Sequence, residues 1–147
     1  MASVQFELEQ VLKYRLEMER LKKQEFAVAK QGFEHAHEQV NREEAMARDL
    51  SSEFSHRQGD LDSIEEMRRY ADFFARKRVE IKAKKEKVNQ LGRVMNEQRE
   101  VLLDATKNKK ALESLKEKKA SEFRLAMDQK EQAFMDEISI QKKNAAS

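Results

Sequence analysis

The sequence predicts an all-α fold, an elongated antiparallel two-helix coiled-coil hairpin with a longer C-terminal helix, and three observations carry that prediction. Charged residues make up 39% of the 147 and equal the hydrophobic share, more charge than a compact domain carries. Good helix formers fill almost every window, Pro is absent and Gly occurs three times, and no run alternates with the period of two that a half-buried strand needs. Apolar residues recur throughout at spacings of three and four, a pattern that aperiodic disordered chains lack.

The first helix is expected over about residues 4–54. Phe26, Ala29, Phe33, Ala36, Val40, Ala47, Leu50 and Phe54 form one stripe, interrupted by Glu43, and this is the seam of a coiled coil. Upstream, Val4, Val11, Tyr14, Met18 and Leu21 extend it, with a five-residue jump to Phe26 that predicts local unwinding. A turn is expected over about 55–62, where Gly59 sits among Asp and Ser residues. The second helix is expected over about 63–142. It opens on Ser63 and Glu66, spaced as a capping box in which hydroxyl and carboxylate each satisfy an exposed backbone N–H.

The second stripe runs through Ile64, Met67, Ala71, Phe74, Ile81 and Val88, with Arg78 and Lys85 interrupting. It resumes as Leu91, Met95, Gln98, Leu102, Ala105 and Leu112, so two three-residue steps fall in succession, the mark of a stammer. Residues 1 to 66 hold 9 Lys and Arg against 15 Asp and Glu, and residues 67 to 147 hold 21 against 13. An acidic first helix against a basic second one selects an antiparallel pairing within one coiled-coil domain over 1–147.

Folding about Gly59 pairs positions whose numbers sum to about 118, setting Phe26 against Gly92 and leaving residues beyond about 112 without a partner in the first helix. At 1.5 Å per residue that overhang measures roughly 45 Å. It carries Leu115, Phe123, Leu125, Met127, Phe134, Met135, Ile138 and Ile140, apolar residues that must be buried by something else.

Several function classes drop out. A two-stranded seam is too thin to enclose a substrate, so no enzyme, catalytic residue or cofactor is expected. His35 and His37 point about 200° apart on a helix and His56 lies in the turn, so no metal site is expected. Asp60-Leu-Asp62 lacks the further oxygen ligands of a calcium loop. Cys is absent, and the charged N-terminus supplies no signal-peptide core, both in keeping with a cytoplasmic location. No stretch reaches the ~20 apolar residues of a membrane helix, so any membrane association is peripheral and made through partners. Residues 76–93 hold eight basic and two acidic residues and raise nucleic-acid binding as a possibility. The acidic first helix expected opposite and the lack of interleaved aromatics argue against it.

Two stretches, FELEQVLKYRLEMERLKKQEFAVAK (6–30) and LLDATKNKKALESLKEKKASEFRLAMDQKEQAFMDEI (102–138), resemble the FliJ family of the bacterial flagellar type III export apparatus. The family's F-x-L-x-x-V-L-x-x-R opening is matched by Phe6 to Arg15, its L-E-x-L-K-E-K-K pattern by Leu112 to Lys119, and a following acidic pair by Asp136 and Glu137. The resemblance implies a non-enzymatic component similar to the rotor stalk of rotary ATPases. Such a stalk would bind the hexameric export ATPase through the end that carries both termini, and would serve flagellum biogenesis and motility. Leu112, Leu115, Lys116, Lys118, Lys119, Phe123, Asp136, Glu137 and Ile138 would supply the ATPase contact. Tyr70 and Phe73 match aromatic positions through which the family is thought to meet the cytoplasmic domain of the membrane export gate. Lys77 and Glu80 stand where some relatives have aliphatic or small residues. Export chaperones are a further implied partner, and the implied location is the inner face of the cell membrane at the flagellar base. The residues by themselves also fit a homodimeric tether or scaffold, or the equivalent stalk of a virulence secretion system.

Overall fold

The computed structural model describes residues 6–57, 59 and 63–146. Two helices account for almost all of them: α1, Glu9–Arg57, and α2, Ile64–Ala146. No strand occurs among the described residues. The expected start of the first helix at residue 4, Val4 of the upstream stripe, and Asp60-Leu-Asp62 lie outside the described residues.

Local chemistry sets the helix ends. The Ser63 hydroxyl accepts the Glu66 N–H at 3.3 Å, and Glu65 and Glu66 place negative charge where the helix dipole is positive. At α1, the Glu9 N–H donates to the Phe6 carbonyl at 3.1 Å, and the Phe6 ring is buried just ahead of the first turn. His56 and Arg57 put positive or ionisable groups at its C-terminal turn.

The chain divides into two units: Met1–Arg20 with Leu103–Ser147, and Leu21–Leu102. In the second unit α1 and α2 pair antiparallel. Phe33 lies against Gly92, Arg99 sits over the Phe26 ring at 5.7 Å, Glu43 pairs with Lys84, and Phe54 packs on Tyr70 at 4.9 Å. The numbers of these pairs sum to 124–127, not 118, so the register lies one heptad from the one expected. Phe26 therefore meets Arg99 rather than Gly92. The shift also explains why Ile64 and Met67, expected in the seam, are exposed: positions opposite them would fall in the connection.

The first helix keeps its expected stripe, with residues 26, 29, 33, 36, 40, 43, 47, 50 and 54 all buried or half-buried. The second departs from expectation. Its inward positions are Tyr70, Phe74, Lys77, Ile81, Lys84, Val88, Leu91, Met95, Gln98 and Leu102, an unbroken alternation of fours and threes. Lys77 and Lys84 stand in the seam where Arg78 and Lys85 were expected, and no stammer occurs. A coiled coil keeps its phase even where the in-phase residue is charged, because one slip would turn every later apolar side chain outward. Lys84 is accommodated by carboxylates on both sides, Glu43 across the seam and Glu80 at 3.3 Å on its own helix.

In the first unit α1 and α2 again run antiparallel, tied by Lys109 to Glu19 at 3.1 Å and Lys116 to Glu9 at 2.9 Å. Of the expected upstream residues Met18 is half-buried, but Val11 and Tyr14 are exposed, and Leu12, Arg15 and Glu19 turn inward instead. Spacings of three and four from Leu12 lead through Glu19 and Lys22 to Phe26, so the five-residue jump does not occur. Glu19 is 6% exposed and Lys109 shields it.

Candidate partner-binding surfaces

In the first unit, the sequence-derived residues fall into two groups. Leu112 and Leu115 are half-buried, and Lys116 is held by Glu9, so these residues belong to the helix pairing. The expectation that everything beyond about 112 lacks a partner on α1 is thus corrected, because the heptad shift brings one more heptad of α2 alongside α1. Lys118 and Lys119 are exposed, Phe123 is half-buried, and beyond it nearly every side chain lies open. Leu125 is 59% exposed, Phe134 61%, Met135 56% and Ile140 59%, with Ile138 half-buried beside them. Asp136 accepts a hydrogen bond from Gln132 at 3.1 Å and Glu137 is exposed. Ile138 and Ile140 share this segment with both carboxylates, so the surface mixes apolar anchors with charge.

In the second unit, Tyr70 and Phe73 occupy different environments. Tyr70 is an inward residue: its ring packs on Phe54 and lies 6.5 Å from Phe74, forming an aromatic cluster near the end of α1. Phe73 meets Phe74 edge-on at 5.8 Å and, with Leu50, Glu66, Arg69 and Tyr70, lines an open groove on one flank. Sequence reasoning missed the other flank. There Ala47, Ser51, Phe54 and Ser55 of α1 face Phe74, Lys77, Arg78, Ile81, Lys82 and Lys85 of α2 across a second groove. Its basic wall was visible in the sequence, but the register error hid which α1 residues stand opposite.

Electrostatics in the second unit are those of paired surface charges. The hydrogen bond from Lys85 holds the Glu44 carboxyl below its usual range, and the one from Lys84 does the same for Glu80. Bonding to Glu43 raises the Lys84 ammonium above its ordinary value. Among the described residues no cluster of His, Asp or Glu could hold a metal ion. His35 and His37 are both exposed, and the His37 ring stacks on Phe33 at 5.8 Å. No described helix is long and apolar enough to cross a membrane.

Long paired helices joined along interdigitating seams define a coiled-coil protein. The family model described as the flagellar FliJ protein matches residues 5–146, and the chain belongs to that family. It is accordingly a component of the flagellar export apparatus, in a family of non-enzymatic members. No curated protein and no solved structure matched the chain.

Proposed function

We propose that this chain is a stalk-like component that binds the flagellar export ATPase ring through the C-terminal part of α2 and couples it to the export gate and chaperones. The observation that carries the reading is the run of bare apolar side chains at Leu125, Phe134, Met135 and Ile140. Exposed apolar area of this extent on a charged helix favours burial by a partner. Phe123 and Ile138 extend the apolar surface, Lys118 and Lys119 offer cations to an acidic ring, and Asp136 and Glu137 give the contact its polar rim. Leu112, Leu115 and Lys116 act one step back, fixing α2 against α1 so that the segment is presented in one orientation. The gate contact is assigned to the groove that Phe73 lines, with Tyr70 shaping it from the seam. In this reading the protein resides in the cytoplasm and reaches the membrane only through its partners.

The test is removal of residues 125–147, which spares the ion pairs of Lys109 and Lys116. The shortened protein should keep its helix pairing and lose ATPase binding and stimulation. Undiminished binding by that protein would refute the assignment. Phe123→Ala in the full chain should lose about 2 kcal/mol of affinity, the cost typical of a truncated aromatic anchor, whereas Lys118→Glu should mainly slow association. For the gate, Phe73→Ala is the informative variant, since Tyr70→Ala would also remove packing against Phe54. A self-pairing tether would instead give a dimer in the absence of ATPase, disappearing with residues 125–147.

A further inference from the structure

The second groove of the second unit has an unbalanced charge. On α2 the stretch 76–87 holds seven basic and two acidic residues. Much of this charge is met elsewhere: Lys84 by Glu43 and Glu80, Lys77 by Glu80 at 3.5 Å, and Lys85 by Glu44. Arg78 and Lys82 differ. Both are exposed on the groove wall, and the α1 residues that complete the lining are Ala47, Ser51, Phe54 and Ser55, none of them acidic.

The floor of the groove is apolar, made by Phe54, Phe74 and Ile81. At 100° per residue, Arg78 and Lys82 lie on the side of α2 opposite Arg69 and Phe73, so this groove is separate from the one assigned to the gate. An apolar floor between uncompensated cations and two serine hydroxyls is complementary to one kind of occupant: a helical or extended segment presenting apolar side chains flanked by carboxylates. We propose that the groove bounded by Ser51, Ser55, Arg78 and Lys82 docks an acidic amphipathic segment of a partner protein.

Carboxylates of such a segment would bridge Arg78 and Lys82 while its apolar side chains cover Phe74 and Ile81. Guanidinium suits this role, since its planar fork takes a carboxylate through two parallel hydrogen bonds.

The experiment uses the full-length chain and a fluorescently labelled synthetic peptide helix with Leu and Phe on one face and Glu along its edges. Fluorescence anisotropy should report binding that weakens as salt is raised. Arg78→Glu/Lys82→Glu should weaken it at least about tenfold, as expected for like charges placed against an acidic ligand. Lys107→Glu/Lys110→Glu, the same change in net charge at exposed sites far along α2, should leave it within about twofold. Ser51→Glu/Ser55→Glu introduces the repulsion from the α1 wall and should reproduce the loss if the first variant alters helicity by circular dichroism. Equal binding to the groove variants and the parent would overturn the proposal. So would equal binding of a peptide with Gln in place of every Glu, or groove-dependent binding of a single-stranded oligonucleotide or a phosphatidylserine vesicle in preference to the peptide.

Discussion

Replacing Gly32 by Ala should stabilise the protein, and replacing Gly92 by Ala should not do so to the same extent. Both glycines lie inside helices, where Gly is about 1 kcal/mol less favourable than Ala because its backbone has more freedom to lose. At Gly32 an added Cβ meets nothing within 4 Å, so the full gain of about 1 kcal/mol should appear, about 3 °C in midpoint for a chain of this size. At Gly92 the same atom would stand 3.2 Å from Cε2 and 3.6 Å from Cδ2 of Phe33. The ring must retreat by a few tenths of an ångström. It is half-buried and has an exposed neighbour in His37, so it can shift, but overpacking of this kind typically costs a kcal/mol or so. The two effects nearly cancel, leaving Gly92→Ala within about 0.5 kcal/mol of the parent. Urea and thermal unfolding followed by far-UV circular dichroism measure both variants. An equal gain at the two sites would show that Phe33 does not lie against Gly92, and the one-heptad correction to the register would lose a main support.

Gln98→Leu should stabilise the second unit by about 1 kcal/mol in urea unfolding, because the Gln98 side-chain oxygen is buried without a hydrogen-bond donor. Glu44 and Glu80 have depressed pKa values, so their contribution is present above the ordinary carboxylate value of about 4.5 and is lost as pH falls through the lower folded values. Unfolding midpoints measured in that acidic window should fall, and Lys85→Met should flatten the dependence by releasing Glu44. Lys109→Met should destabilise more than an exposed lysine substitution such as Lys107→Met, since it removes an ion-pair partner of nearly buried Glu19.

The two-helix hairpin was legible because periodicity and composition agree from Phe26 to Phe54 everywhere but at Glu43. The capping signal at Ser63 was legible because it is local: a hydroxyl three residues before an N–H needs no information from the rest of the chain. Seam membership was misread wherever hydrophobicity and phase disagreed. Val11, Tyr14 and Leu21 looked inward because they are apolar, yet Leu12, Arg15, Glu19 and Lys22 hold those positions because they keep step with Phe26. Counting phase outward from the clearest stretch, and admitting charged residues where it demanded them, would have found the seam. The proposed partner residues come only from the family's pattern, since nothing physical in Leu112 to Lys119 separates a pairing residue from a contact residue until the register is known. The second groove could not be read at all, because it depends on which α1 residues stand across from Arg78 and Lys82.

That register raises a question of selection, because sliding α2 by one heptad preserves every stripe. It also preserves much of the charge pairing: Glu9 would meet Lys109, Glu43 would meet Lys77, and Glu44 would meet Arg78. What the slide destroys is narrower. Glu19 would face Leu102 instead of Lys109, and Phe54 would exchange Tyr70 and Phe74 for Ser63 and Met67. Facing Leu102, Glu19 would lose its ion pair with Lys109, and loss of the aromatic cluster would remove about 1 kcal/mol per ring pair. Each unit therefore has one feature that favours its own register, as a single polar residue can in a coiled coil. Changing Glu19 and Lys109 together to Leu should leave the helices of the first unit as stable as before or more so, yet weaken their choice between registers, and Phe54→Ala should weaken that choice in the second unit. Cysteines introduced at Phe33 and Gly92 would cross-link efficiently in the parent background, and the yield should fall when all three residues are changed. An unchanged yield would mean that the connection between the helices, rather than these side chains, fixes the pairing.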